Sequence, residues 1–130
     1  MKAVETRIRV TYADTDQMGM VYYANYLTYF ERGRTEWMRE SGMPYRELEG
    51  KGLYFPVMEC RCSYLAPAKY DDLLDIITTV AEVGPASVTF AYKISCEGKL
   101  LAEGTTKHPL VNDKMKPVRM PAETREILKG

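Results

Sequence analysis

Histidine is nearly absent from this chain: His108 is the only one in 130 residues. That leaves too few imidazoles for a zinc site and no histidine beside the acidic stretch near the N-terminus. Cysteine is scarce and odd in number, Cys60, Cys62 and Cys96. Without an apolar export block in the opening MKAVETRIRV, the expected state is reduced core thiols, with Cys60 and Cys62 on one strand face. Net charge is absent too, since 18 Lys and Arg balance 18 Asp and Glu, and no basic excess marks a nucleic-acid binder. Apolar runs are short. No window approaches the roughly 18 residues that a membrane helix needs, so neither a membrane span nor a signal peptide is expected, and the expected location is cytoplasmic. Internal repeats and low-complexity segments are lacking as well.

What remains is a chain with 45% hydrophobic residues, enough for one core and too short for two, so residues 1–130 are expected to form a single domain. Arg7 to Tyr12 alternates, with Ile8, Val10 and Tyr12 against Arg7, Arg9 and Thr11, and predicts a half-buried strand. From Val21 the period changes. Tyr22, Tyr26, Tyr29, Phe30, Gly33 and Trp37 recur every three or four residues, which predicts a helix with a broad aromatic stripe running to about Ser41. Arg32 and Glu36 have the spacing of an ion pair on its polar side. Gly33 inside the stripe implies that something packs closely against it, and Gly42 with Pro44 stops the helix.

Tyr45 to Gly52 suggests one short helical turn. Met58 to Tyr64 alternates again, Asp72 to Val83 is denser in apolar residues, and Ser87 to Cys96 alternates most clearly. Glu97, Gly98 and Lys99 form a hairpin signal, after which Leu100 to Val111 pairs back, Pro109 marking an edge or bulge. Ala122 to Lys129 suggests a terminal helix. Four consecutive strands after one long aromatic helix predict an α+β domain in which an antiparallel meander wraps that helix.

Asp14 and Asp16 lie between the first strand and the helix. Asp14 fits a turn or capping aspartate. A calcium loop is not supported, because its glycine and ligand pattern is missing. A third reading pairs Asp16 with the helix start: unpaired amides at the positive dipole end stabilise charge on a carbonyl oxygen, and a nearby carboxylate attacks or activates water. Taken by themselves the residues favour a capped turn over an acyl-transfer site, because many loops carry an aspartate ahead of a helix.

The run YADTDQMGMVYYANYLTYFERGRTEW, Tyr12 to Trp37, resembles the signature of the 4-hydroxybenzoyl-CoA thioesterase-like family of hotdog-fold proteins, especially its Tol-Pal-associated acyl-CoA thioesterase branch. The likeness continues through YLAPAKYDDLLDI at Tyr64 to Ile76 and KMKP at Lys114 to Pro117. It implies a hotdog fold and acyl-CoA thioester hydrolysis with no metal and no cofactor beyond the coenzyme A of the substrate. It places the catalytic carboxylate at Asp16 and the amide that polarises the thioester carbonyl at Tyr23, with Gly19, Val21, Tyr26 and Tyr64 expected to bind substrate. It also implies a homodimer or homotetramer joined edge to edge, with the stretch from Leu53 to Leu65 lining the partner's pocket.

Where the Tol-Pal branch carries histidine in a VYHANY-like string, this chain carries Tyr23. A backbone amide survives that replacement and an imidazole does not. His108 is expected to be a surface residue at a strand end. Lys107, Lys114, Lys116 and Arg119 either meet coenzyme A phosphates or form a solvated basic loop. Two other functions stay open: a hydratase or dehydratase on the same fold, which would want an aspartate and histidine pair, and a noncatalytic acyl-CoA-binding module.

Overall fold

A computed structural model of the chain describes residues 2–130. Its elements are strand β1 (Ala3–Arg9), helix α1 (Asn25–Glu40), helix α2 (Tyr45–Gly50), strands β2 (Glu59–Tyr64), β3 (Leu73–Val83), β4 (Ser87–Cys96) and β5 (Lys99–Pro109), and helix α3 (Ala122–Lys129). All strand pairs are antiparallel, in the order β1-β3-β4-β5-β2. This is the sheet-around-helix arrangement of a hotdog.

The alternation in the strands explains the two faces of the sheet. Val4 and Ile8 of β1, Leu74, Ile76 and Val80 of β3, Phe90, Tyr92 and Ile94 of β4, and Ala102 of β5 are buried on one side. Against them lies the aromatic stripe of α1, buried at Tyr26, Tyr29, Phe30, Gly33, Trp37 and Met38. The stacking of Phe30 on Tyr92, 4.3 Å between centroids, and the edge contact of Trp37 with Phe90 at 5.8 Å tie the helix to the middle of the sheet. The α1 C-terminus is closed by Gly42 at φ 83°, with Met43 N–H donating to Met38 C=O at 3.0 Å and Gly42 N–H to Arg39 C=O at 3.1 Å, the paired bonds of a Schellman end.

Several expectations need correction. The first strand runs Ala3–Arg9, and Tyr12 belongs to a 3-10 turn at Tyr12–Asp14, exposed and stacked on Tyr70 at 3.8 Å instead of facing the core. Tyr22 precedes α1 and is exposed. The ion pair on α1 joins Glu36 to Arg39, not Arg32. The meander holds only for β3, β4 and β5; β2 crosses to the far edge and pairs with β5, because β1 takes the place beside β3. Cys60 is exposed, so it is no core thiol, and all three cysteines are free. The β4–β5 turn holds as expected: Cys96 faces Lys99 across Glu97 and Gly98, both at positive φ, the type I′ geometry that a two-residue hairpin favours. Among the described residues no helix is long and apolar enough to cross a membrane.

Candidate active site

The stretch between β1 and α1 folds back on itself through its own polar groups. Thr11 N–H donates to the Asp14 carboxylate at 3.0 Å, which closes the 3-10 turn, and the Asp14 carbonyl accepts from Tyr22 N–H at 2.9 Å and from the Asn25 side-chain amide at 2.8 Å. Asp14 is thus a turn residue. A second small loop, Asp16 to Met20, is closed by Asp16 N–H donating to Met20 C=O at 2.9 Å and Gly19 N–H to Asp16 C=O at 3.1 Å. Gly19 sits at φ 78°, where a side chain would be strained, so glycine is what lets the loop turn. Val21 N–H then donates to Ala68 C=O at 2.8 Å, which ties the loop to the segment between β2 and β3.

Asp16 is half-buried. Its Oδ1 accepts from Met18 N–H at 2.8 Å, an Asx-type contact that fixes the side chain, and Oδ2 has no hydrogen-bond partner among the described residues. Beside it α1 begins without a side-chain cap: Ala24 stands at the N-cap position and supplies no hydrogen-bonding side chain. Asn25 N–H is taken by Tyr22 C=O at 2.9 Å and Tyr26 N–H by Tyr23 C=O at 3.3 Å. The amides of Tyr23 and Ala24 have no acceptor among the described residues. Two free donors therefore stand at the positive end of a sixteen-residue helix.

Asp16 and Tyr23 share a cavity of about 500 Å³, lined also by Met20, Val21, Tyr26, Tyr64, Leu65, Ala66 and Pro67. Five of the six residues singled out from sequence meet there, and Gly19 does not line it. Tyr64 and Leu65 line the cavity of their own chain. Tyr26 meets Tyr64 edge to face at 5.0 Å, and Tyr64 meets Tyr23 at 6.4 Å. Burial raises the Tyr26 hydroxyl, and burial followed by the neighbouring Cys62 thiol pushes the Tyr64 hydroxyl up to about 12, so both keep their protons at neutral pH. Cavities of similar volume on the outer sheet face, around Ile77 and Ala91, and between α1 and β1 lack this combination of carboxylate and free amide.

Ala66 and Pro67 were not singled out from sequence, and Leu65 was expected to line the partner's pocket. Lys107, Lys114, Lys116 and Arg119 do not line the cavity. Lys114 and Lys116 lie on an exposed turn whose amides both donate to the Asn112 side chain, at 2.9 and 3.0 Å. His108 is not at the surface. It is fully buried, 0% exposed, and engaged with Thr106 Oγ1 at 2.7 Å and Phe55 C=O at 3.2 Å. Among the described residues no three His, Cys, Asp or Glu side chains are grouped to hold a metal ion.

The chain matches the thioesterase-like superfamily over residues 10–128. It is 40% identical over 120 residues to the acyl-CoA thioesterase YbgC of Haemophilus influenzae, covering 91% of this chain and 88% of that one. A crystal structure of a Thermus thermophilus protein superposes with a TM-score of 0.93 at 36% identity, over 96% of each chain. The crystal structure of a 4-hydroxybenzoyl-CoA thioesterase superposes at a TM-score of 0.91 and 20% identity, over 98% of this chain and 99% of that one, a likeness of fold. With the helix-wrapping sheet, the uncapped helix start and a family match spanning nearly its whole length, this chain belongs to the thioesterase-like superfamily.

Proposed function

We propose that this chain hydrolyses acyl-CoA thioesters to free acid and coenzyme A, with Asp16 as the reacting carboxylate and the Tyr23 amide polarising the thioester carbonyl. The observation that carries this reading is the free Tyr23 amide at the start of α1 on a cavity that also holds the Asp16 carboxylate. As the carbonyl carbon becomes tetrahedral, charge builds on its oxygen, and preoriented donors at a helix N-terminus stabilise that charge more than they stabilise the substrate. Asp16 delivers the attack by one of two routes. Its Oδ2 adds to the carbonyl and expels the coenzyme A thiolate, leaving an anhydride that water opens; or it takes a proton from water, whose hydroxide adds instead.

The acyl group fits among Val21, Tyr26, Tyr64 and Leu65, and the reading uses no metal and no cofactor apart from the coenzyme A of the substrate. The Haemophilus relative, named an acyl-CoA thioesterase, supports the same reaction class. The hydratase alternative loses support because the only histidine is buried and bonded inside the core. The active form is a homodimer or homotetramer, a reading supported by the free edge of β2 with Val57, Met58, Tyr64 and Leu65 exposed beside it.

Thiol release from short, long and aromatic acyl-CoA esters is the test. Cleavage of at least one class is expected. Binding of several with cleavage of none would replace the thioesterase with a noncatalytic acyl-CoA-binding module.

A further inference from the structure

The Tyr64 side chain makes a contact that lining a cavity does not require. Its hydroxyl donates to the Tyr23 carbonyl at 2.9 Å, reaching from the last residue of β2 across to the turn that opens α1. That carbonyl and the free amide at the cavity belong to the same residue, so holding the carbonyl holds Tyr23 and limits how far its N–H can swing. The same carbonyl accepts Tyr26 N–H at only 3.3 Å, a long bond that holds the turn weakly. No side-chain cap assists at this helix start.

We propose that Tyr64 is a positioning residue for the oxyanion donor: its hydroxyl holds the Tyr23 carbonyl so that the free Tyr23 amide stays aimed at the thioester oxygen. The proposal rests on the acyl-transfer reading of the site and adds an element to it, since the edge strand β2 then holds the helix start in its working conformation. The hydroxyl keeps its proton through the working pH range and acts as donor throughout. The rings of Tyr26 and Tyr64 pack edge to face whether or not that hydroxyl is present, which separates its role from that of the ring.

Tyr64→Phe removes the hydroxyl and keeps the ring. Steady-state thiol release should show kcat lower by about 10-fold or more with KM changed by less than about 2-fold, the pattern of an interaction that matters in the transition state. A second readout needs no turnover. Acetonyl-CoA, a ketone that cannot be hydrolysed, carries ¹³C at its carbonyl, and wild-type protein should shift that resonance downfield on binding. Tyr64→Phe should return it toward the free value at unchanged affinity, with an unchanged circular dichroism spectrum. A kcat within about 2-fold of wild type, a rise in KM alone, or the same carbonyl shift in both proteins would overturn the proposal. Failure of the hydrolase reading looks different: wild type would cleave no acyl-CoA.

Discussion

Asp14 and Asp16, two positions apart, differ in which of their atoms the backbone has claimed. Asp14 spends its carboxylate on Thr11 N–H and its carbonyl on Tyr22 and Asn25. Asp16 gives up one carboxylate oxygen to Met18 N–H and keeps the other. His108 shows the same logic in the core. A carbonyl only accepts, so Nδ1 carries the proton toward Phe55, Nε2 accepts from the Thr106 hydroxyl, and Thr106 Oγ1 accepts in turn from Tyr92, 2.5 Å away. Every ring nitrogen is used in the neutral state. Burial, followed by the Arg34 charge, lowers His108 from 6.5 to about 4. The folded state therefore resists a proton that the unfolded chain accepts. Stability is full above pH 6.5 and is lost as pH falls toward 4, by about 3 kcal/mol for a shift of this size. Urea titrations across that window should show the loss, and His108→Gln should flatten it; equal slopes would place the acid sensitivity elsewhere. The role of Asp14 was legible in the sequence because turn chemistry is local. The burial of His108 was not, because its acceptor, Phe55, is far away in the chain.

At the scale of elements, two glycines set how closely the layers meet. A Cβ on Gly33 would overlap Thr78 Oγ1 and come within 3.1 Å of Ile76, so the α1 backbone rests directly on β3 side chains. Gly33→Ala gains about 1 kcal/mol of helix propensity and loses about 1–3 to overpacking, so a modest net drop in melting temperature is expected. Gly104 is more constrained. Its Cβ would strike the Arg61 carbonyl oxygen and lie 2.8 Å from the Phe30 ring, between the β2 backbone and the helix. Gly104→Ala should cost more than Gly33→Ala, and amide exchange in β2 should rise first. Equal protection of β2 in both variants would contradict that assignment. The aromatic stripe and the Gly33 contact were legible from 3.6-residue periodicity. The place of β2 was not: alternation predicts a strand and one buried face, whereas neighbour order depends on where β1 inserts.

For the whole molecule, the sheet ends in a strand whose outer edge is unpaired and flanked by exposed Val57, Met58 and Leu65. Such an edge in a single domain invites another strand. Light scattering on the purified protein should give an even multiple of the 14.9 kDa chain, and a mass of 14.9 kDa would remove the oligomer from the account. In the proposed chemistry the Asp16 charge drives acyl transfer at the start of α1. Asp16→Asn isolates that charge, because the asparagine oxygen still accepts Met18 N–H and the loop keeps its shape. The deciding measurement is kcat for thiol release by this variant on the best acyl-CoA substrate, beside its melting temperature. A fall of at least about 100-fold with melting unchanged is expected; a rate equal to wild type would rule out Asp16 as the reacting carboxylate.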